Sequence, residues 1–88
     1  MKPNDQLNFS IEQVTVQQDR LAAKVRLPHK GVFLISILSN TRELLFKRFV
    51  QLNEGHNEIQ MPVGQLAKGP YFISLLKGTE QATLTFHY

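Results

Sequence analysis

Apolar residues in this chain recur at every second position, in short runs cut by clusters of turn-forming residues. Successive side chains of a strand point to opposite faces, so this period predicts half-buried β-strands rather than amphipathic helices. Leu7, Phe9 and Ile11 alternate with polar residues. Val14 and Val16 alternate in the opposite phase, which predicts a bulge near Glu12–Gln13. Gln17-Gln18-Asp19-Arg20 reads as a polar turn. Leu21, Ala23, Val25 and Leu27 then alternate, with Lys24 and Arg26 facing outward, until Pro28-His29-Lys30-Gly31 breaks the chain.

The stretch Val32–Leu38 is almost wholly apolar and reads as a central strand buried on both faces. After Ser39-Asn40-Thr41, Leu44, Phe46, Val50 and Leu52 share one face with Arg48, and Leu45 and Phe49 lie on the other beside Lys47. Asn53-Glu54-Gly55-His56-Asn57 reads as a loop, and Ile59 and Met61 as a short strand stopped at Pro62, which cannot donate to a ladder. Val63 to Lys68 is the best helical candidate, long enough for about one turn. Tyr71 to Leu76 is a further apolar strand, Lys77-Gly78-Thr79-Glu80 a hairpin turn, and Ala82, Leu84 and Phe86 a last alternating run.

About seven strands at spacings of roughly 8–12 residues predict an all-β, immunoglobulin-like antiparallel sandwich. Its length of 88 residues fits a single domain spanning 1–88. The alternation places Leu21, Val25, Leu27, Leu34, Phe46, Ile59, Leu66, Tyr71, Ile73, Leu84 and Phe86 in the core.

Composition narrows the function. No cysteine is present, which removes disulfides and thiolate metal sites. Ten Lys and Arg stand against seven Asp and Glu, and the basic residues are scattered, so no nucleic-acid groove is expected. Phe46-Lys47-Arg48-Phe49 interleaves aromatics with charge, but reads more simply as a strand edge guarded against aggregation. No apolar run approaches the roughly 18 residues of a membrane span, and no signal-peptide core follows the first residues. Membrane insertion is therefore not expected.

Catalytic constellations are also missing from the pattern. His29, His56 and His87 fall in two turns and at a strand end, away from a shared ligand set. Ser10, Ser36, Ser39 and Ser74 lie in no Gly-x-Ser-x-Gly elbow. Glu54 and Glu58 flank a loop without the acidic ladder that calcium prefers. Gly64 and Gly69 do not make a phosphate loop. These patterns predict a chain that is not an enzyme and uses no cofactor and no metal.

From Gly31 onward the layout is specific. The strand Val32–Leu38 leads through a turn into Leu44-Leu45-Phe46; Gly55-His56-Asn57 follows, then Ile59 and Met61, then Leu66-Ala67-Lys68-Gly69-Pro70-Tyr71-Phe72, a Gly-bearing turn and a final strand. This resembles the C-terminal sorting domain of the type IX secretion system, the secretion tail of Bacteroidetes proteins, and related immunoglobulin-like domains. Leu66, Gly69 and Tyr71 define its corner. The chain departs from the family's Asp-x-x-Gly turn, having Ser39-Asn40-Thr41-Arg42, and from its Tyr-Pro-Asn-Pro opening, where Lys2-Pro3-Asn4 stands nearest.

The resemblance implies a non-catalytic module that carries cargo to the cell surface by docking on the secretion machinery, and hence an exported, outer-membrane or extracellular location. The last hairpin is the expected contact region, with Lys77, Gly78, Thr83, Thr85, His87 and Tyr88 as partner-binding residues. The alternative is a stand-alone binding module for protein or carbohydrate, for which Phe33, Phe49 and Phe72 would supply an aromatic platform. Apolar residues on both faces of Val32–Leu38 and Tyr71–Leu76 further imply a covered second face: a protein partner, a homodimer or a parent domain.

Overall fold

The computed structural model describes residues 9–88. Leu7 and the Lys2-Pro3-Asn4 segment lie outside the described residues. Seven strands follow in order: β1 (Ser10–Gln17), β2 (Arg20–Leu27), β3 (Gly31–Ser39), β4 (Leu44–Leu52), β5 (Gly55–Pro62), β6 (Pro70–Lys77) and β7 (Glu80–His87). They form two antiparallel sheets, β1-β2-β5 and β4-β3-β6-β7, packed as a β-sandwich. The fourth strand joins the larger sheet, so the division is three and four, not the four and three of a constant-type immunoglobulin domain.

The bulge predicted from the phase switch is present. Ile11 pairs with Val25 and Gln13 with Lys24, leaving Glu12 as the extra residue. The bulge keeps Ile11, Val14 and Val16 all against the core. The Gln18–Asp19 turn has Gln18 at φ 56, and the Gly78–Thr79 turn has Gly78 at φ 62. Positive φ at the first residue of a two-residue hairpin matches the twist of the flanking strands, and glycine adopts it freely. Val63–Lys68 holds one turn-like bond, Leu66 N–H to Val63 C=O at 3.0 Å, and no helix.

The core runs between the sheets. Leu21, Ala23, Val25 and Leu27 of β2 face Phe33, Ile35 and Ile37 of β3 and Tyr71, Ile73 and Leu75 of β6, all buried. Of the residues expected inside, Leu21, Val25, Leu27, Ile59, Tyr71, Ile73 and Phe86 are buried, and Phe46, Leu66 and Leu84 are partly buried against the core. Leu34 is a correction. The inward phase of β3 belongs to Phe33, Ile35 and Ile37, so Leu34 points outward with Val32, Ser36 and Leu38. A run apolar at nearly every position carries no alternation to fix its phase. For the same reason Phe33 is no platform residue: it is 2% exposed, edge-on to Phe9 at 5.2 Å. Nor is β3 buried on both faces, since Val32 is 56% exposed. On β4 a second register shift pairs Leu38 with Leu44, and Leu44 leaves the core face for solvent.

The corner before β6 is built as its residues suggest. Gly69 sits at φ 148, and the buried Tyr71 hydroxyl donates to the Ala67 carbonyl four residues back, the tyrosine corner of immunoglobulin-like sandwiches. The Tyr71 ring stacks on Phe86 at 5.7 Å, which ties the corner to β7. Tyr71→Phe keeps the stacking and deletes the bond. It should cost about 1 kcal/mol, seen as a fall in melting temperature of about 4–8 °C for a domain of this size.

Candidate docking face

The two sheets present opposite kinds of surface to water. Outward positions of β1-β2-β5 carry Gln13, Lys24 and Glu58 in one cross-strand row, and Thr15, Ala22 and Gln60 in the next. Glu12, lifted by its bulge, lies 3.4 Å from His56 Nδ1 and 3.5 Å from Arg26 Nε. This face is the ordinary solvated side of an antiparallel sheet. A shallow groove of about 890 Å³ crosses it, lined by Thr15, Gln17, Arg20, Lys24, Glu58 and Gln60 over Ala22.

The outward face of β4-β3-β6-β7 is different. The ladders place Phe49, Leu34, Leu76 and Gln81 in one row across the four strands. The next row is Lys47, Ser36, Ser74 and Thr83, and the one after it brings Leu38, Phe72 and Thr85 together, with Leu44 and Leu45 beside Leu38 at the β4 irregularity. Two apolar ridges thus flank a trough floored by serines. Phe49 is 71% exposed, and Val32, Leu44 and Leu45 are also exposed. Ser74, on the outward phase, is nonetheless buried, shielded by its larger neighbours, and its hydroxyl accepts from Gln81 Nε2 at 2.9 Å.

Arg42 guards one end of this face. Its guanidinium lies 4.4 Å from the centre of the Phe72 ring, in range for a cation–π contact. The backbone there is at φ 73, a conformation that disfavours any side chain. Ser39 Oγ accepts from the Thr41 and Glu43 amides, which holds the turn that puts Arg42 in the left-handed region. The Gly-x-Asn element acts in the same local way. Gly55 adopts φ 94, and Asn57 accepts from the Asn53 amide and donates back to the Asn53 carbonyl at 2.7 Å. His56 and Asn57 therefore belong to β5 and not to a loop, a correction to the expected boundary.

The expected partner-binding residues divide three ways. Thr83 and Thr85 are exposed on the outward phase of β7, opposite Ser74 and Phe72, and His87 is exposed opposite Pro70, so these three border the apolar face. Lys77 and Gly78 lie at the hairpin tip, with Lys77 Nζ 5.4 Å from the centre of the Phe33 ring. Tyr88 is a structural clasp. It exchanges backbone bonds with Gly69, lies under Lys68 Nζ at 3.9 Å, and its hydroxyl donates to Asp19 Oδ1 at 3.0 Å. Its phenol is held above the ordinary value, by desolvation first and then by the bond to Asp19 and that carboxylate's charge. The neutral phenol is the form the fold favours, so this contribution is present at neutral pH and is lost as pH rises past the raised value.

Arg48 holds the far seam. It sits on the core-facing phase of edge strand β4 opposite Ile35, and its guanidinium escapes sideways to the Gln60 carbonyl of β5 at 3.3 Å. An inward-pointing charge on an edge strand discourages further strand pairing. His29 is exposed in the β2–β3 turn, and Ser10, Ser36 and Ser39 are partly buried. Among the described residues no three His, Asp or Glu side chains group as metal ligands, and no helix is long and apolar enough to cross a membrane. Residue patterns pointed to Phe49, Phe72, Thr83 and Thr85, but Leu34, Leu76 and Arg42 join them only through strand register and turn conformation.

No family model and no curated protein matches the sequence. Among solved structures, the chain is similar to part of the β-glucosidase from Kluyveromyces marxianus, at 16% identity and a TM-score of 0.57, covering 93% of this chain and 14% of that one. The same enzyme in complex with glucose matches at 15% identity and the same TM-score and coverage. The chain thus spans 14% of the length of the structures it matches, a likeness of fold.

Proposed function

We propose that this chain is a non-catalytic docking module, read by a protein partner through the outward face of β4-β3-β6-β7. The asymmetry of the two faces carries the reading. One sheet turns charged and amide side chains to water, while the other turns Val32, Phe49, Leu34, Leu38 and Phe72 outward in one patch. A contiguous apolar patch with a polar border is the mark of an interaction surface. In its specific form the module is a type IX sorting domain that delivers cargo to the cell surface. The corner at Gly69–Tyr71 and the Gly55–Asn57 clasp support that form, since these two motifs behind the resemblance each have a local structural job here.

The test is delivery. Residues 1–88 are fused behind a periplasm-targeted fluorescent reporter in a Bacteroidetes host, with and without a working type IX translocon. Reporter should reach the surface or medium only with the translocon, whereas retention in both strains by a folded fusion overturns the sorting reading. Phe49→Asp should cut delivery by about tenfold or more, as loss of an exposed aromatic anchor does. Its melting temperature should stay within about 2–4 °C of the parent, because exposed positions change stability by about 0.5 kcal/mol or less.

The groove on the opposite sheet favours a second reading, a binding module for a polar ligand such as a carbohydrate. Amide, hydroxyl and charged side chains surround the small floor of Ala22 there. Titration with soluble oligosaccharides, followed by amide shifts at Thr15, Ala22 and Gln60, decides it; unmoved signals at millimolar sugar reject it.

A further inference from the structure

We propose that the chain pairs with a second copy of itself through the outward face of β4-β3-β6-β7, the ridge of one copy seated in the trough of the other. This shares a face with the docking reading but does not depend on any secretion machinery. The register carries it. The Phe49–Leu34–Leu76 ridge and the Lys47–Ser36–Ser74 trough are neighbouring rows, two residues apart on each strand. That step is about 6.7 Å. A two-fold axis lying in the interface midway between these rows sets each copy's ridge over the other's trough. The face is then self-complementary, as an isologous interface must be.

The same rotation covers further parts of the patch. It lays the Leu38–Phe72 row over Val32 of the second copy, which covers the exposed valine. It also brings Lys47 to Phe49 of the second copy, where an ammonium over a ring is favourable. β4 is an edge strand, so the Lys47 stem lies along the apolar rim while its charge stays hydrated. The Ser74 hydroxyl already has Gln81 as donor, which lowers the cost of drying the trough.

Size agrees. Four strands about 4.8 Å apart, each of eight residues at about 3.4 Å, give a face of roughly 19 by 27 Å, or roughly 500 Å² in projection. Corrugation raises its accessible area toward the ~800 Å² per partner of a standard interface. Sheets paired this way pack about 10 Å apart with strands within about 30°. The opposite face is polar, so the assembly closes at two copies.

Sedimentation of the 88-residue chain between about 1 μM and 1 mM, the range of weak specific association, is the test. A monomer–dimer equilibrium without larger species is expected. Ser36→Trp fills the trough while adding apolar surface. Ridge-in-trough pairing requires it to weaken the dimer by about tenfold or more; a merely sticky face would associate more strongly. Phe49→Asp should weaken it similarly, and Thr15→Asp on the opposite sheet should leave it unchanged, with circular dichroism melts verifying that each variant folds. A chain monomeric throughout the range overturns the proposal and leaves the face to a different protein. Tighter dimerisation by Ser36→Trp overturns it as well.

Discussion

Phe33→Ala should leave the chain largely unfolded near 37 °C. The ring is fully enclosed on the central strand of the larger sheet, edge-on to Phe9, and removing a buried phenyl group costs about 3–5 kcal/mol in transfer and cavity terms. A domain this small buries only about 60% of its unfolded surface, so its total stability falls near the low end of the ~5–15 kcal/mol range. One such cavity is then most of the margin. Urea unfolding of Phe33→Ala beside Leu34→Ala makes the comparison sharp. Leu34 points outward, and its truncation should cost about 1 kcal/mol, the central value for point substitutions. Equal costs, or the reverse order, would mean that β3 is assigned the wrong phase.

Deleting Thr83–Tyr88 should abolish cooperative unfolding altogether. The segment takes away most of β7, the buried Phe86 with its stacking on Tyr71, the partly buried Leu84, and the Tyr88 clasp to Gly69 and Asp19. Phe86 alone is worth about 3–5 kcal/mol, and the loss also exposes one edge of β6. Thermal scans by circular dichroism should show no transition. A cooperative melt would mean that six strands suffice. The deletion therefore reports on folding, and substitutions at Thr83, Thr85 and His87 are the way to probe docking at that edge.

What the residues revealed depended on how cleanly they alternate. In β2 the pattern Leu21-Ala22-Ala23-Lys24-Val25-Arg26-Leu27 fixes both element and phase, and the burial follows it position by position. The β1 bulge was visible because the phase of the alternation flips. In β3 and β6 both faces are apolar and the element was legible in each, but only in β6 was the phase read, with Tyr71 and Ile73 inward and Phe72 outward; in β3 Leu34 and Phe33 exchanged places. The docking face was harder still. Its apolar character shows in the same two strands, but its ridges and trough arise from cross-strand register, which joins Phe49 to Leu34 and Leu76 across 15 and 27 positions of intervening order in the chain rather than by spacing along it, in roughly the way all sheet surfaces are assembled. The left-handed backbone of Arg42 left no mark in the sequence, since an arginine gives no sign of positive φ.

The most direct test of the docking face is site-specific photo-crosslinking in the cell. A photoreactive phenylalanine analogue is placed at Phe49, and in a separate fusion at Thr15 on the polar sheet. Docking through this face should give protein adducts from position 49, including a second copy of the chain, and none above background from position 15. Adducts from position 15 with none from position 49 would contradict it, and would move the functional surface to the opposite sheet.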